Sequence, residues 1–330
     1  MGYGRGPPMH ICLAPHRKGG SFLMIVYREA KTLARDLGFS IQTLYAVSNS
    51  LPRHYHSAEL PKRDGTVRHL SVPDPLLKTI QRRIADRLLP LLPVSPYATA
   101  YRCGAGPLRN AAPHTGKPLI LKLDIRDFFG SVLYSAVKES AFPASIYAEP
   151  LRVLLTMLCY YDEGLPQGAP SSPAISNLIL RDFDRTVGSW CAQRDIAYTR
   201  YCDDLTFSGS FDAGELQGFV QAELRRQGFF LNSRKTRLLP AGGRQIVTGL
   251  TVNQHPAVPP RLRRELRQEL YYCRHYGVAE HLARTGRDLP PRAYLQSLLG
   301  RVGYVLQIEP GRTEALQWRA WLLETLSHTT

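Results

Sequence analysis

The chain has 330 residues, with 42 Lys and Arg against 27 Asp and Glu, a formal net charge of +15 at neutral pH. Hydrophobic residues at 44% and charged residues at 21% exclude wholesale disorder, and no apolar run nears the roughly 20 residues needed to cross a bilayer. The excess charge calls for a polyanion, either nucleic acid or an anionic membrane surface, and charge alone does not choose between them.

The length exceeds the roughly 250–300 residues at which a single core stops growing, so two or three lobes are expected. Six scattered cysteines, Cys12, Cys103, Cys159, Cys191, Cys202 and Cys273, form no Cys-x-x-Cys pair. They read as reduced cytosolic thiols rather than a disulfide framework or zinc site. Residues 1–20 are rich in Gly, Pro and basic residues and lack the apolar core of a secretory signal; they read as a flexible basic arm.

Taken in chain order, Tyr27 to Leu44 carries apolar residues at helical spacing. Two extended runs then flank Asp64-Gly65, a strong hairpin dipeptide, with Lys62, Arg63 and Arg68 around it. Pro75 opens a helix expected to reach Leu92, and Pro113 to Pro118 reads as a loop. Leu119 to Ile125 alternates as a strand with one buried face, with Asp124 near its end on the other face. Residues 132–160 read mainly as helix, broken near Pro143 and Pro150, and another helix starts at about Pro173. Ile196 to Gly209 reads as two strands with a turn at Cys202-Asp203-Asp204. A helix from Gly214 to Gln227 and strand-like runs at Phe229–Leu231 and Gln245–Val252 follow. After Pro259-Pro260 the chain is helical and basic, with Leu262, Leu266, Leu270 and Cys273 on one stripe.

Adjacent aspartates at a tight turn repel each other and lose solvation, so a fold needs a reason to hold them there. Turn chemistry is one reason. A divalent metal is another: Mg²⁺ takes a few hard carboxylate oxygens, keeps some water and binds phosphates. Two such ions about 3.5–4 Å apart serve an in-line phosphoryl displacement. Asp124, Asp203 and Asp204 are the candidates.

Four ordered strings, Asp124-Ile125-Arg126-Asp127-Phe128-Phe129, Leu165-Pro166-Gln167-Gly168, Tyr201-Cys202-Asp203-Asp204 and Leu231-Asn232 with Lys235-Thr236, together resemble the motifs of reverse transcriptases. The run from Pro61 to Pro73 resembles their fingers motif. Asn110-Ala111-Ala112-Pro113-His114 and Val247-Thr248-Gly249 resemble the two strings that mark the retron branch. Cys202 departs from the family, which usually has Ala at that place.

The resemblance implies an α+β right-hand polymerase fold: fingers over 21–117 with 141–175 contributing, a palm with an antiparallel sheet over 118–255, and a helical thumb over 256–330. It implies two Mg²⁺ ions at Asp124, Ile125, Asp203 and Asp204, with Lys235 beside the leaving pyrophosphate. It implies nucleotide contacts from Lys62, Arg68, Phe129, Gln167 and Gly168, where the Phe129 ring screens the sugar 2′ position. RNA contacts are expected from Asn110, His114, Val247, Thr248, Gly249, Arg261, Arg264 and Arg267, with Arg263 beside them. The implied partners are deoxynucleoside triphosphates, a cognate non-coding RNA with its reverse-transcribed DNA, and a separate effector protein, in a cytoplasmic anti-phage system without a membrane role. Another bacterial reverse transcriptase, group II intron-like or defence-associated, or a non-catalytic RNA-binding subunit, are the alternatives.

Overall fold

The computed structural model describes residues 27–61, 65 and 67–328. The expected arm at 1–20 and the hairpin cations Lys62 and Arg63 lie outside the described residues.

The expected helical run after Tyr27 is two helices, α1 (Ala30–Leu37) and α2 (Ile41–Asn49). Gly38 divides them, since at φ +69 it turns the chain left-handed and closes α1. Ser40 then accepts the Thr43 N–H to begin α2. Strands β1 (Tyr55–Pro61) and β2 (Val67–Pro73) form the expected hairpin, in antiparallel register from Tyr55↔Pro73 to Pro61↔Val67. Helix α3 (Pro75–Arg87) is capped by Asp74, which accepts the Leu77 N–H at 2.8 Å. It stops before Leu92 because Pro90 cannot extend it, leaving a 3₁₀ turn at Leu89–Leu91.

A short helix, α4 (Pro107–Ala111), precedes the loop expected at Pro113 to Pro118, and a 3₁₀ turn at Ala112–His114 runs into its start. Strand β3 (Leu119–Asp124) follows. Next come α5 (Tyr134–Ala141), α6 (Glu149–Cys159), α7 (Ser172–Ile179) and α8 (Arg181–Ala192). The expected hairpin is β4 (Ala197–Tyr201) with β5 (Asp204–Gly209), and α9 spans Ala213–Arg226. The last strands are β6 (Arg237–Pro240), β7 (Ile246–Val247) and β8 (Leu250–Thr251). Four helices end the chain: α10 (Pro260–Tyr276), α11 (Val278–Arg284), α12 (Pro291–Ile308) and α13 (Thr313–His328).

The architecture is α+β with antiparallel sheets, as expected, and divides into two compact units. The first takes residues up to 95, 101–104 and 127–182; the second takes 96–100, 105–126 and 183–330. In the first unit the buried Gln81 of α3 donates to the Tyr55 hydroxyl at 2.7 Å and the Leu158 carbonyl at 2.9 Å, tying β1 and α6 to α3. Gly168, at φ +134, lies against β2: a Cβ there would sit 2.8 Å from the Ser71 carbonyl oxygen. Leu165 N–H donates to the Phe129 carbonyl at 2.9 Å.

The second unit carries a four-stranded sheet in the order β4-β5-β3-β6. The expectation of one buried face for β3 is corrected: Leu121 and Leu123 are buried on one side and Ile120 and Asp124 on the other. Ile120 joins a core with Val247, Leu250, Val258, Leu266 and Leu298, so residues after Pro259 cover the face that alternation left to solvent. The strand expected at Phe229–Leu231 is only a bridge from Leu231 to Ile125. The sheet's outer strand is β6, whose largely exposed edge hides any apolar alternation. Cys103 is disulfide-bonded, which corrects the expectation of reduced thiols throughout. Cys159, Cys191, Cys202 and Cys273 are free and buried. Among the described residues no helix is long and apolar enough to cross a membrane.

Candidate active site

In the second unit β3 and β5 run antiparallel, and their register ends on Asp124↔Asp204. The β4–β5 turn leaves only Cys202 and Asp203 between the paired Tyr201 and Asp204. Cys202 has φ +61, the positive value that tight primed hairpin turns require. Ile125 N–H donates to the Asp203 carbonyl at 3.1 Å, which holds the turn against the end of β3. On the other side Asn232 N–H donates to the Asp124 carbonyl at 2.8 Å. Backbone pairing thus brings Asp124, Asp203 and Asp204 to one end of the sheet, as their sequence pattern predicted.

Lys235 Nζ lies 2.8 Å from Asp124 Oδ2. The other carboxylate oxygen, Oδ1, is buried without a hydrogen-bond partner among the described residues. Burial pushes the Asp203 carboxyl above its ordinary pKa, and the Asp124 charge adds to this. Asp204 is raised first by burial and then by Asp203. Burial works to lower the Lys235 pKa, but the bond to Asp124 and the three carboxylate charges prevail and raise it. Carboxylates held against their own repulsion, with one buried oxygen unpaired, form a donor set that suits a hard divalent cation. Among the described residues no three His, Cys, Asp or Glu side chains close into a ready-made cage, and Mg²⁺, which retains water, does not require one. Ile125 is buried and has no ligating side-chain atom, so its carbonyl is its sole means of contributing.

A family model described as "Reverse transcriptase (RNA-dependent DNA polymerase)" matches residues 60–253. The Retron Mx65 reverse transcriptase of Myxococcus xanthus is 36% identical to this chain, over 89% of it and 71% of the relative. The chain belongs to the retron reverse transcriptases. The Retron Mx162 reverse transcriptase of the same organism is 30% identical, over 87% of this chain and 65% of its own length. Among solved structures, apo telomerase from Candida tropicalis aligns with a TM-score of 0.47 at 14% identity, over 83% of this chain and 58% of that one. Its family makes this retron reverse transcriptase an RNA-directed DNA polymerase.

The other expected residues divide between the units. Arg68, Phe129, Gln167 and Gly168 all belong to the first: Arg68 is exposed on β2, Phe129 and Gln167 are half-buried, and Gly168 rests on the backbone of β2. The remaining residues belong to the second. Val247 is buried, while Thr248 (φ +45) and Gly249 (φ +81) form the β7–β8 turn. On α10, Arg261 lies 2.7 Å from Glu265, Arg267 forks onto Glu314 at 2.6 and 3.1 Å, and Arg264 is exposed.

Asn110 and His114 require a correction, because they are 1% and 0% exposed and their side chains are spent on protein. The His114 ring lies 2.7 Å from the Ser208 hydroxyl and 2.8 Å from that of Thr199, on neighbouring strands. Burial, and secondarily Lys117, lowers its pKa to about 3, so the ring is neutral. Asn110 Oδ1 lies 2.6 Å from the Thr99 hydroxyl, and its Nδ2 lies 3.4 Å from Thr248 Oγ1. These residues brace the back of β4 and β5 rather than offering side chains to RNA.

The sequence reading missed Asp184 and Arg200, both fully buried and paired at 2.7 Å. A signal existed: Asp184 lies among Phe183, Val187 and Cys191 on the buried stripe of α8, where a carboxylate needs a partner.

Proposed function

We propose that this chain copies part of a cognate structured non-coding RNA into DNA, leaving a branched RNA–DNA hybrid, by nucleotidyl transfer at Asp124, Asp203 and Asp204. The observation that carries this reading is the Asp124↔Asp204 pairing beside the Cys202-Asp203 turn, with Asp124 Oδ1 buried and unpartnered. Two Mg²⁺ ions, when bound, would supply Lewis-acid activation of the primer 3′-hydroxyl and charge neutralisation at the departing pyrophosphate.

The chain's own groups do the rest. Asp124 and Asp203 hold the ligand oxygens, and Asp204 lies opposite Asp124 to complete the negative end of the sheet. Lys235 stands on the Asp124 carboxylate, protonated, where it can meet the charge leaving on pyrophosphate. Arg68 and Lys62 would contact triphosphate, Gln167 and Gly168 would line the nucleotide pocket, and the Phe129 ring would crowd a 2′-hydroxyl. The β7–β8 turn and Arg261, Arg264 and Arg267 would follow an RNA backbone, a contact that weakens with salt. The fingers, palm and thumb would follow 21–117 with 141–175, 118–255 and 256–330. The +15 charge is then a grip on RNA and DNA. A cytoplasmic anti-phage role with a separate effector accompanies the retron reading.

The test is Mg²⁺-dependent incorporation of deoxynucleotides on a primed RNA template, with Asp203→Asn as the inactive control. Sequencing the nucleic acid that copurifies decides the finer reading. A branched species bearing one short DNA supports it, and random cellular RNA overturns it.

A further inference from the structure

Arg200 lies two residues before the Cys202-Asp203 turn, at the end of β4, and none of its surface meets solvent. A buried guanidinium is tolerated only where its charge is paired and its donors are used. Asp184 of α8 supplies the pairing: Arg200 Nε lies 2.8 Å from Asp184 Oδ1, and Nη2 lies 2.7 Å from Oδ2. The Tyr198 hydroxyl donates to the same Oδ1 at 2.7 Å, so three donors hold this carboxylate. Helix α8 can approach this closely because residue 188 is glycine; a Cβ there would fall 2.1 Å from the Tyr97 ring.

The guanidinium also reaches the turn. Arg200 Nη1 donates to the Cys202 carbonyl at 3.1 Å. Cys202 is the left-handed residue of the turn, and the next carbonyl, that of Asp203, is held by Ile125 N–H. Both peptide oxygens around the first catalytic carboxylate are therefore tied down, one by β3 and one by Arg200. The backbone of Arg200 is gripped too: its carbonyl accepts the Thr99 N–H at 2.8 Å and lies 2.9 Å from the Thr99 hydroxyl.

We infer that Arg200, locked by Asp184, is a positioning residue for polymerisation: it clamps the Cys202 carbonyl and so sets the direction of the Asp203 and Asp204 carboxylates. The inference rests on the polymerase reading above. Salt-bridge stability alone does not explain the arrangement, since two buried apolar residues of similar size often serve a core as well as an ion pair does. What an apolar pair cannot supply is a donor to the Cys202 carbonyl.

The test uses the full chain on a primed RNA template with two variants. Arg200→Lys keeps the charge opposite Asp184, but its single ammonium cannot span both partners. The double variant Arg200→Met/Asp184→Leu removes the clamp without stranding a buried charge. Turnover is expressed per competent site, titrated by the single-turnover burst, alongside melting temperature and Mn²⁺ binding measured by calorimetry. Expected are a kcat about tenfold or more below wild type, as for loss of a charged hydrogen bond, a KM for template within about twofold, and weaker Mn²⁺ binding. Wild-type kcat and Mn²⁺ affinity in either folded variant overturn the inference. So does activity that falls only in proportion to the folded fraction. A wild-type chain that fails to polymerise at all speaks instead against the polymerase reading, so the two failures are separable.

Discussion

Asp124 and Asp204 face each other as the last register partners of β3 and β5, with Lys235 bound to one oxygen of Asp124 and the other left without a hydrogen-bond partner among the described residues. Neither strand alone brings two carboxylates together. The antiparallel ladder does, and the positive φ of Cys202 adds Asp203 beside them.

Metal should therefore stabilise this fold measurably. Without divalent cation, Asp203 and Asp204 bear the cost of burial and mutual repulsion. Adding Mg²⁺ at a hundredfold excess over its Kd should raise stability by about 2.7 kcal/mol, and EDTA should reverse the gain. Asp124→Asn should remove nearly all polymerase activity and most of the Mg²⁺ effect on the melting temperature. A full Mg²⁺ shift in that variant would falsify the assignment of Asp124 as a ligand.

Cys202 stands where the resemblance to retron reverse transcriptases leads to an expectation of Ala. Its small, buried thiol hydrogen-bonds the Asp203 carboxyl, a weak donor's contact, so Cys202→Ala should leave polymerisation within about twofold of wild type. Cys202→Val places a β-branched residue at φ +61, a strain of about 1–2 kcal/mol, and should lower both stability and turnover. Steady-state rates and thermal melts of the two variants decide this.

Gly168 meets β2 with no room for a side chain. Gly168→Ala puts a methyl 2.8 Å from the Ser71 carbonyl at φ +134, which should cost about 1–3 kcal/mol. If the loop lines the nucleotide pocket, KM for deoxynucleotide should rise more than KM for primed template. Equal changes in both would remove Gln167 and Gly168 from that role.

Phe129→Ala should admit ribonucleotides, lowering discrimination by about tenfold or more. Competing incorporation of matched ribo- and deoxynucleotides measures it, and unchanged selectivity would mark Phe129 as ordinary packing against Phe128.

His114 predicts a pH dependence of stability. Its pKa falls from 6.5 to about 3 on folding, so above pH 6.5 the ring is neutral in both states and its contribution is complete. As pH drops below 6.5 the unfolded chain takes up a proton that the folded ring refuses, and stability is lost progressively toward pH 3. The slope reaches about 1.4 kcal/mol per pH unit. Denaturant titrations between pH 8 and 5 should show the decline in wild type and a shallower one in His114→Gln.

The polymerase reading was legible before any folding was considered, because its carrying residues are short local strings. An aspartate pair at a turn and Asp-Gly in a hairpin keep their meaning wherever the chain takes them. The same holds for apolar spacing, which located α3, α9, α10 and the β4–β5 hairpin to within a few residues. Asn110 and His114 illustrate the opposite case. As letters they suggested contacts with RNA, and only the sheet they lie behind showed their atoms already taken by Thr99, Ser208 and Thr199.

Composition, charge and motif order by themselves determined a basic chain with a three-aspartate centre and a helical, arginine-rich end. Tertiary structure alone decided that both faces of β3 are buried, that β6 rather than Phe229–Leu231 completes the sheet, and that Arg200 and Asp184 stand behind the Cys202-Asp203 turn. The reason is physical: periodicity reports one element's own amphipathicity, whereas burial and ion pairing depend on which distant segment packs against it. Even the +15 charge is divided this way. The sequence supplies the sum, but only the fold shows that Arg200 and Arg267 are already matched by carboxylates while Arg68 and Arg264 are turned to solvent.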